Sequence, residues 1–195
     1  MKPVVLRNGV VIEDPLVAVL RPVEARWAYD VADHSGPASF RDADLRLANR
    51  GGARISAAEI AAILQRRRAI ERALRAIAPQ ASLTSSSVPW LPLRQLFDAF
   101  ADIRGVGFSK MTKALHRKRP ALIPMLDSVV QAYLEDDDLG AKAAFGERAL
   151  GLVRGYKKDL DHNREAVRAV RQELARRGHD VTEVRILDLL IWSAL

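Results

Sequence analysis

The residues best suited to chemistry lie together between Ile103 and Asp127, in the stretch IRGVGFSKMTKALHRKRPALIPMLD. Gly105-Val106-Gly107 permits a tight turn, and such a turn leaves N–H groups pointing outward at the start of the helix that follows. A helix start of this kind attracts anions. No acidic residue stands between Asp102 and Asp127, whereas Arg104, Lys110, Lys113, Arg117, Lys118 and Arg119 are basic and His116 lies among them. A nucleic-acid phosphate is the anion that this density predicts. Pro120 and Pro124 stop helix formation and keep the next segment extended. Asp127 is then placed to cap a helix over 128–134, a role that Asn fills about as well, so a cap alone does not use its charge.

The Gly-Val-Gly turn, the basic helix and an acid twenty residues after the second glycine resemble the helix-hairpin-helix motif of the base-excision DNA glycosylase superfamily. The resemblance spans Ile103 to Asp127 and implies a two-lobed helical fold whose hairpin grips duplex DNA by its phosphate backbone. It assigns that grip to Gly105, Val106 and Gly107, with Ser109, Lys110 and Lys113 beside them, and the catalytic acid to Asp127. Arg104 stands where the family usually has Pro. Ser109 stands where members with lyase activity carry a Schiff-base Lys, and Lys110, one residue later, is rotated by about 100° on a helix. The chemistry implied is therefore hydrolysis of an N-glycosidic bond by a monofunctional glycosylase. Such an enzyme extrudes a nucleotide and uses a carboxylate to stabilise an oxocarbenium-like sugar or to direct water at C1′. Two other readings stay open: a non-catalytic DNA-binding or damage-sensing module, and a helical protein-interaction module with an acidic protein partner.

With 195 residues, 49% of them apolar, the chain can bury a proper core. We expect one globular, mainly α unit over 1–195. Its hairpin lobe would span about 52–135, and a second lobe would join about 1–51 to 136–195. A net charge of +7 suits an acidic partner, and Arg outnumbers Lys by 24 to 7. No window of about 18 apolar residues occurs and the N-terminus lacks a signal peptide's apolar centre, so we expect no membrane association and a cytoplasmic location. Without cysteine there is neither a disulfide nor the cysteine-ligated iron–sulfur cluster of some glycosylases. His34, His116, His162 and His179 show no metal-ligand spacing, and no phosphate-binding loop, nucleotide-binding fingerprint or nucleophile-elbow serine is present. No metal or cofactor is expected.

The remaining elements follow from local signals. Asn8-Gly9 between β-branched runs predicts a hairpin over 4–12. Pro15 opens a short helix to about Leu20, broken by Pro22. Trp27, Tyr29, Asp30, Asp33 and His34 fall in a long connection, where the aromatics either pack or touch a ligand. A helix over 40–49 has Phe40, Ala43, Leu47 and Ala48 inward. Ser56 to Glu59 forms a capping box that opens a helix through Ile77, with Arg66, Arg67, Arg68, Arg72 and Arg75 as a solvated face or a second DNA contact. A loop over 79–92 contains Trp90, either a core anchor or a duplex-inserting wedge. Leu93, Leu96, Phe97 and Phe100 face one way on the first hairpin helix, and the second runs from Ser109 to Arg117. Residues 135–138 read as a solvated acidic helix end. Beyond Gly140 a helical region is interrupted near Gly146, Gly151 and Gly155. An amphipathic helix from Asp161 to Arg176 and a last apolar helix, ILDLLIWSAL, packed in the core, complete the chain.

Overall fold

The structure, a computed structural model, describes residues 1–25 and 36–194, so the aromatic connection at Trp27 to His34 lies outside the described residues. Among those described, the protein is mainly helical (58%), with ten α-helices and one two-stranded sheet. None of the helices is long and apolar enough to cross a membrane.

β1 (Val4–Val5) pairs antiparallel with β2 (Val11–Ile12), Val4 opposite Ile12. The Leu6 N–H bonds the Val10 carbonyl at 2.9 Å, and Gly9 alone in the turn has positive φ, +82°. The connection is thus three residues, Arg7 to Gly9, where Asn-Gly by itself suggests two. Arg7 accounts for the extra residue. Its guanidinium binds Asp137, Asp159 (2.8 Å) and the Gly155 carbonyl (2.9 Å), which ties the hairpin to helices far along the chain.

Helix α1 (Pro15–Glu24) runs through Pro22 instead of stopping there. One backbone bond is lost at a proline, but Val19 and Val23 are buried on a helix that packs on α9 and α10, and that burial outweighs it. In α2 (Asp42–Arg50) the buried face is Asp44, Leu45 and Ala48, while Ala43 is exposed. Asp44 is drawn inward by Lys118, which rotates the helix from its expected face.

The capping box forms as read: Ser56 Oγ accepts from the Glu59 N–H, and Glu59 Oε2 accepts from the Ser56 N–H at 2.8 Å. The helix it opens ends early, however. α3 (Ala57–Gln65) stops at Arg66, and α4 (Arg67–Arg75) restarts at once. Gln65 to Arg68 form a whole turn with no buried side chain, so Ile63 and Ile70 anchor the two pieces to the core separately.

Helices α5 (Trp90–Asp98) and α6 (Phe108–His116) form on either side of the Gly105–Gly107 turn, with Leu93, Leu96, Phe97 and Phe100 fully buried. Trp90 is half-buried at the start of α5, with the Arg154 guanidinium 5.3 Å over its ring. The loop before it is tied down: the Leu83 N–H bonds the Ala121 carbonyl at 2.9 Å, and Lys157 bonds the Leu83 carbonyl at 2.8 Å.

Helix α7 (Ser128–Tyr133) leads to a 3₁₀ turn, Glu135–Asp137, where Glu135 and Asp136 are exposed as expected but Asp137 and the next residue, Asp138, are structural. Asp137 binds Arg7 and Lys158, and Asp138 receives two bonds from Arg148, at 2.9 and 2.7 Å. α8 (Phe145–His162) passes unbroken through Gly146, Gly151 and Gly155. These glycines are points of close approach: a Cβ at Gly151 would stand 2.7 Å from the Asp137 carbonyl, and Cβ atoms at Gly146 and Gly155 would meet the carboxylates of Asp98 and Asp137. α9 (Arg164–Arg176) and α10 (Glu183–Ser193) close the fold.

Candidate nucleic-acid interface

The hairpin turn between α5 and α6 is built from two left-handed residues, Asp102 (φ +61°) and Gly105 (φ +82°). Val106 is buried, and its N–H bonds the Ile103 carbonyl at 3.0 Å, so it holds the turn together from inside. Gly107 is the N-cap residue of α6 and offers no side chain to the first-turn N–H groups, which leaves that end open to an external acceptor.

Lys110 does not stand alone there. Its ammonium lies 2.6 and 2.8 Å from the two oxygens of Glu59, the acid of the capping box. A Cβ at Gly105 would collide with that same carboxylate, which places Glu59 against the hairpin turn. Burial opposes its ionisation, but Lys110 and the Ser56 N–H more than offset this and hold its pKa below the usual carboxylate range. A permanent negative charge therefore sits where the basic stretch alone predicts a phosphate. Lys113, three residues on, is half-exposed on the same side of α6.

Arg104 is exposed, but the later part of the basic stretch, His116 to Arg119, turns inward, contrary to the expectation that its charge faces a nucleic acid. Lys118 is buried and pairs with Asp44 at 3.0 Å. Arg119, 1% exposed, bonds the carbonyls of Leu74 and Ile77 at 2.7 and 2.8 Å, and those of Pro37 and Lys118, both at 2.6 Å. His116 Nδ1 lies 2.6 Å from the Ile123 carbonyl, and Arg117 is also buried. The reason is local: α6 ends at His116, the chain turns before Pro120, and the carbonyls at the end of α4 lack intrahelical donors that Arg119 supplies.

Asp127 is buried to 7% exposure at the start of α7. Its Oδ1 accepts from the Val130 N–H at 3.1 Å, the predicted cap. Its Oδ2 accepts from Trp192 Nε1, also at 3.1 Å. The residue before it is equally fixed, since the Leu126 N–H donates to Thr112 Oγ1 (2.9 Å) and its carbonyl accepts from Gln131 (2.8 Å).

A cleft of about 490 Å³ brings Gly105, Gly107, Ser109, Lys110, Lys113 and Asp127 together and adds Arg54, Ser128 and Trp192; Val106 does not line it. Two of the additions were hidden in the sequence. Trp192 belongs to the apolar terminal helix, buried from Glu183 to Ile191, yet the indole itself is 48% exposed because it sits past the last inward turn. Arg54 follows Gly51-Gly52, which reads only as a helix end. It holds φ +56°, rare for a residue with a Cβ, between buried Ala53 and Ile55, while the Asn49 amide grips the backbone of Ile55 at 2.7 Å in both directions. Among the described residues no group of three His, Cys, Asp or Glu is placed to hold a metal ion.

The site thus offers an exposed aromatic face, a carboxylate locked by two donors, an uncapped helix start and the cations Arg54, Lys110 and Lys113 around one opening. This is a set that can stack a planar group and hold an attached phosphate. The chain belongs to a family of unknown function (DUF6308), whose sequence profile matches residues 25–195. No curated protein and no solved structure matches it.

Proposed function

From membership of a family that carries no assigned activity, we propose that this protein binds DNA in the manner of the helix-hairpin-helix glycosylases and hydrolyses an N-glycosidic bond with Asp127. The observation that carries the reading is the single cleft in which the start of α6 meets Asp127 and the open face of Trp192. In this mechanism the hairpin lies along the backbone, and Lys113 and Arg54 take phosphates. A nucleotide turned out of the duplex stacks on Trp192. The C1′–N bond breaks with its electron pair leaving on the base. Asp127 stabilises the positive sugar and orients a water whose oxygen bonds C1′ as its proton passes to the departing base, which leaves neutral. The Val130 N–H and the Trp192 indole suit the carboxylate to this work, since both donate to the charged form and prevent its rotation.

A second reading, DNA binding without chemistry, is favoured by Glu59. Its carboxylate takes the charge of Lys110 and stands at the hairpin turn, which weakens the grip expected of a catalytic complex.

Binding to two labelled duplexes at two salt concentrations separates these, one duplex intact and one carrying a stable abasic-site analogue. Preference for the abasic analogue is expected, followed by base release from damaged duplexes that Asp127→Asn abolishes while losing only about 1 kcal/mol of stability, because Asn keeps one of the two acceptor bonds. Equal, salt-sensitive binding selects the non-catalytic reading. Absence of binding to either duplex overturns both.

A further inference from the structure

Helix α10 touches the segment before α7 at two points one turn apart. Trp192 bonds the Asp127 carboxylate, and Asp188, four residues earlier on the same face, accepts the Met125 N–H at 3.4 Å through Oδ2. The Asp127 N–H in turn bonds the Met125 carbonyl at 2.9 Å, so whatever moves Met125 moves Asp127.

Asp188 is 1% exposed, and its Oδ1 has no hydrogen-bond partner among the described residues. A buried charged carboxylate oxygen left in this state is very costly, and protonation lowers that cost by removing the charge. The groups around it do not supply the missing donor. Tyr156, from α8, stands beside it but spends its one proton on the Val184 carbonyl at 2.5 Å. Arg185, also buried, lies on α10 itself, and across from it is the second carboxylate, Asp127. The other helices packed on α10 add little: α1 buries only Pro15, Val19 and Val23, and Arg171 of α9 pairs with Glu183 at the far end of the helix. We propose that Asp188 is a positioning residue, which together with Trp192 clasps the Met125 to Asp127 segment and sets the orientation of the Asp127 carboxylate for as long as Asp188 keeps its proton.

Burial pushes the Asp188 carboxyl up to about 7, with the Asp127 charge adding to it and Arg185 and the Met125 N–H opposing. Below that pH the clasp holds one charge, on Asp127. Above it two carboxylates share a buried corner, and the Trp192 to Asp127 bond is the contact free to yield, because Trp192 is at the surface. The clasp stands on geometry alone, but its value to chemistry rests on the function proposed above.

The test uses the intact chain and reads Trp192 directly. The indole N–H resonance of Trp192, identified by its loss in Trp192→Phe, is followed from pH 5 to 9 in the unmodified protein and in Asp188→Asn. The expected result is a shift with a midpoint near pH 7 in the parent that is absent in Asp188→Asn, whose amide cannot ionise. If DNA bases are released, the upper pH limit of that release also moves to higher pH in the variant, whereas a merely structural residue changes the rate at every pH alike. A titration that persists in Asp188→Asn, or a parent resonance that does not move, overturns the proposal. Should Asp188→Asn fail to fold, Asp127→Asn serves instead: with its charge gone, the Trp192 midpoint is expected to fall, and an unmoved midpoint sinks the idea. Failure to bind DNA overturns the glycosylase reading and leaves the Trp192 titration standing, so the two fail separately.

Discussion

The two halves of one basic stretch, Arg104 to Lys113 and His116 to Arg119, are alike in composition and opposite in role. In the first half Lys110 and Lys113 line an open cleft beside an uncapped helix start. In the second they are buried, with Arg119 closing the end of α4 and Lys118 drawing Asp44 into the core. Charge density therefore says little about where charge points. The direction is decided by what each residue finds within reach: Lys110 finds Glu59 at the cleft, and the second half finds backbone carbonyls and a buried acid.

The contrast can be broken most forcibly at Arg119. Arg119→Ala removes the donor to four carbonyls, of which only Leu74 keeps another among the described residues, and leaves a void in the core, so a loss on the order of 4 kcal/mol is expected in urea denaturation. DNA affinity per folded molecule should not change; a stable variant with weakened binding would mean that the second half does face a nucleic acid.

A smaller effect, and one of opposite sign, is expected at Arg54. Arg54→Gly removes the strain of positive φ and should stabilise the fold by about 1 kcal/mol in thermal melts, while weakening binding to every DNA sequence alike. A variant that loses stability, or keeps full affinity, would remove Arg54 from the cleft's working parts.

The finest change sharpens the first half. Glu59→Gln keeps an acceptor for the capping box but releases Lys110, so DNA binding should tighten and its salt slope steepen by about one ion. Unchanged affinity and slope would show that Lys110 never reaches a phosphate.

Features set by neighbours in sequence were legible. Asn8-Gly9 announced the first hairpin, Ser56 with Glu59 a helix start, Leu93, Leu96, Phe97 and Phe100 a buried face, and Asp127 a cap. Features set by distant partners were not. Pro22 and the three glycines of α8 read as breaks because local rules assign them that role, yet packing of α1 on α9 and α10, and of α8 on Asp98 and Asp137, overrode it. The break at Arg66 carried no proline or glycine to announce it. In the site, the spacing of Gly107 and Asp127 located the two ends of the cleft. Trp192 and Arg54 were invisible, since an apolar helix suggests burial throughout and a double glycine draws attention away from the arginine after it. Glu59 was read only as a cap, and nothing in its spacing foretold Lys110.

That internal acid gives the cleft a valence threshold. A single phosphate arriving at Lys110 replaces one ion pair with another and gains little, so a mononucleotide or free phosphate competes poorly with the chain's own carboxylate. A ligand that also reaches Lys113 and Arg54 adds contacts that Glu59 cannot supply, and each further contact is made at high effective concentration. Under the DNA binding proposed above, Glu59 makes the cleft a filter against small anions that favours polymers, with the length of the polymer, more than its charge, setting the affinity.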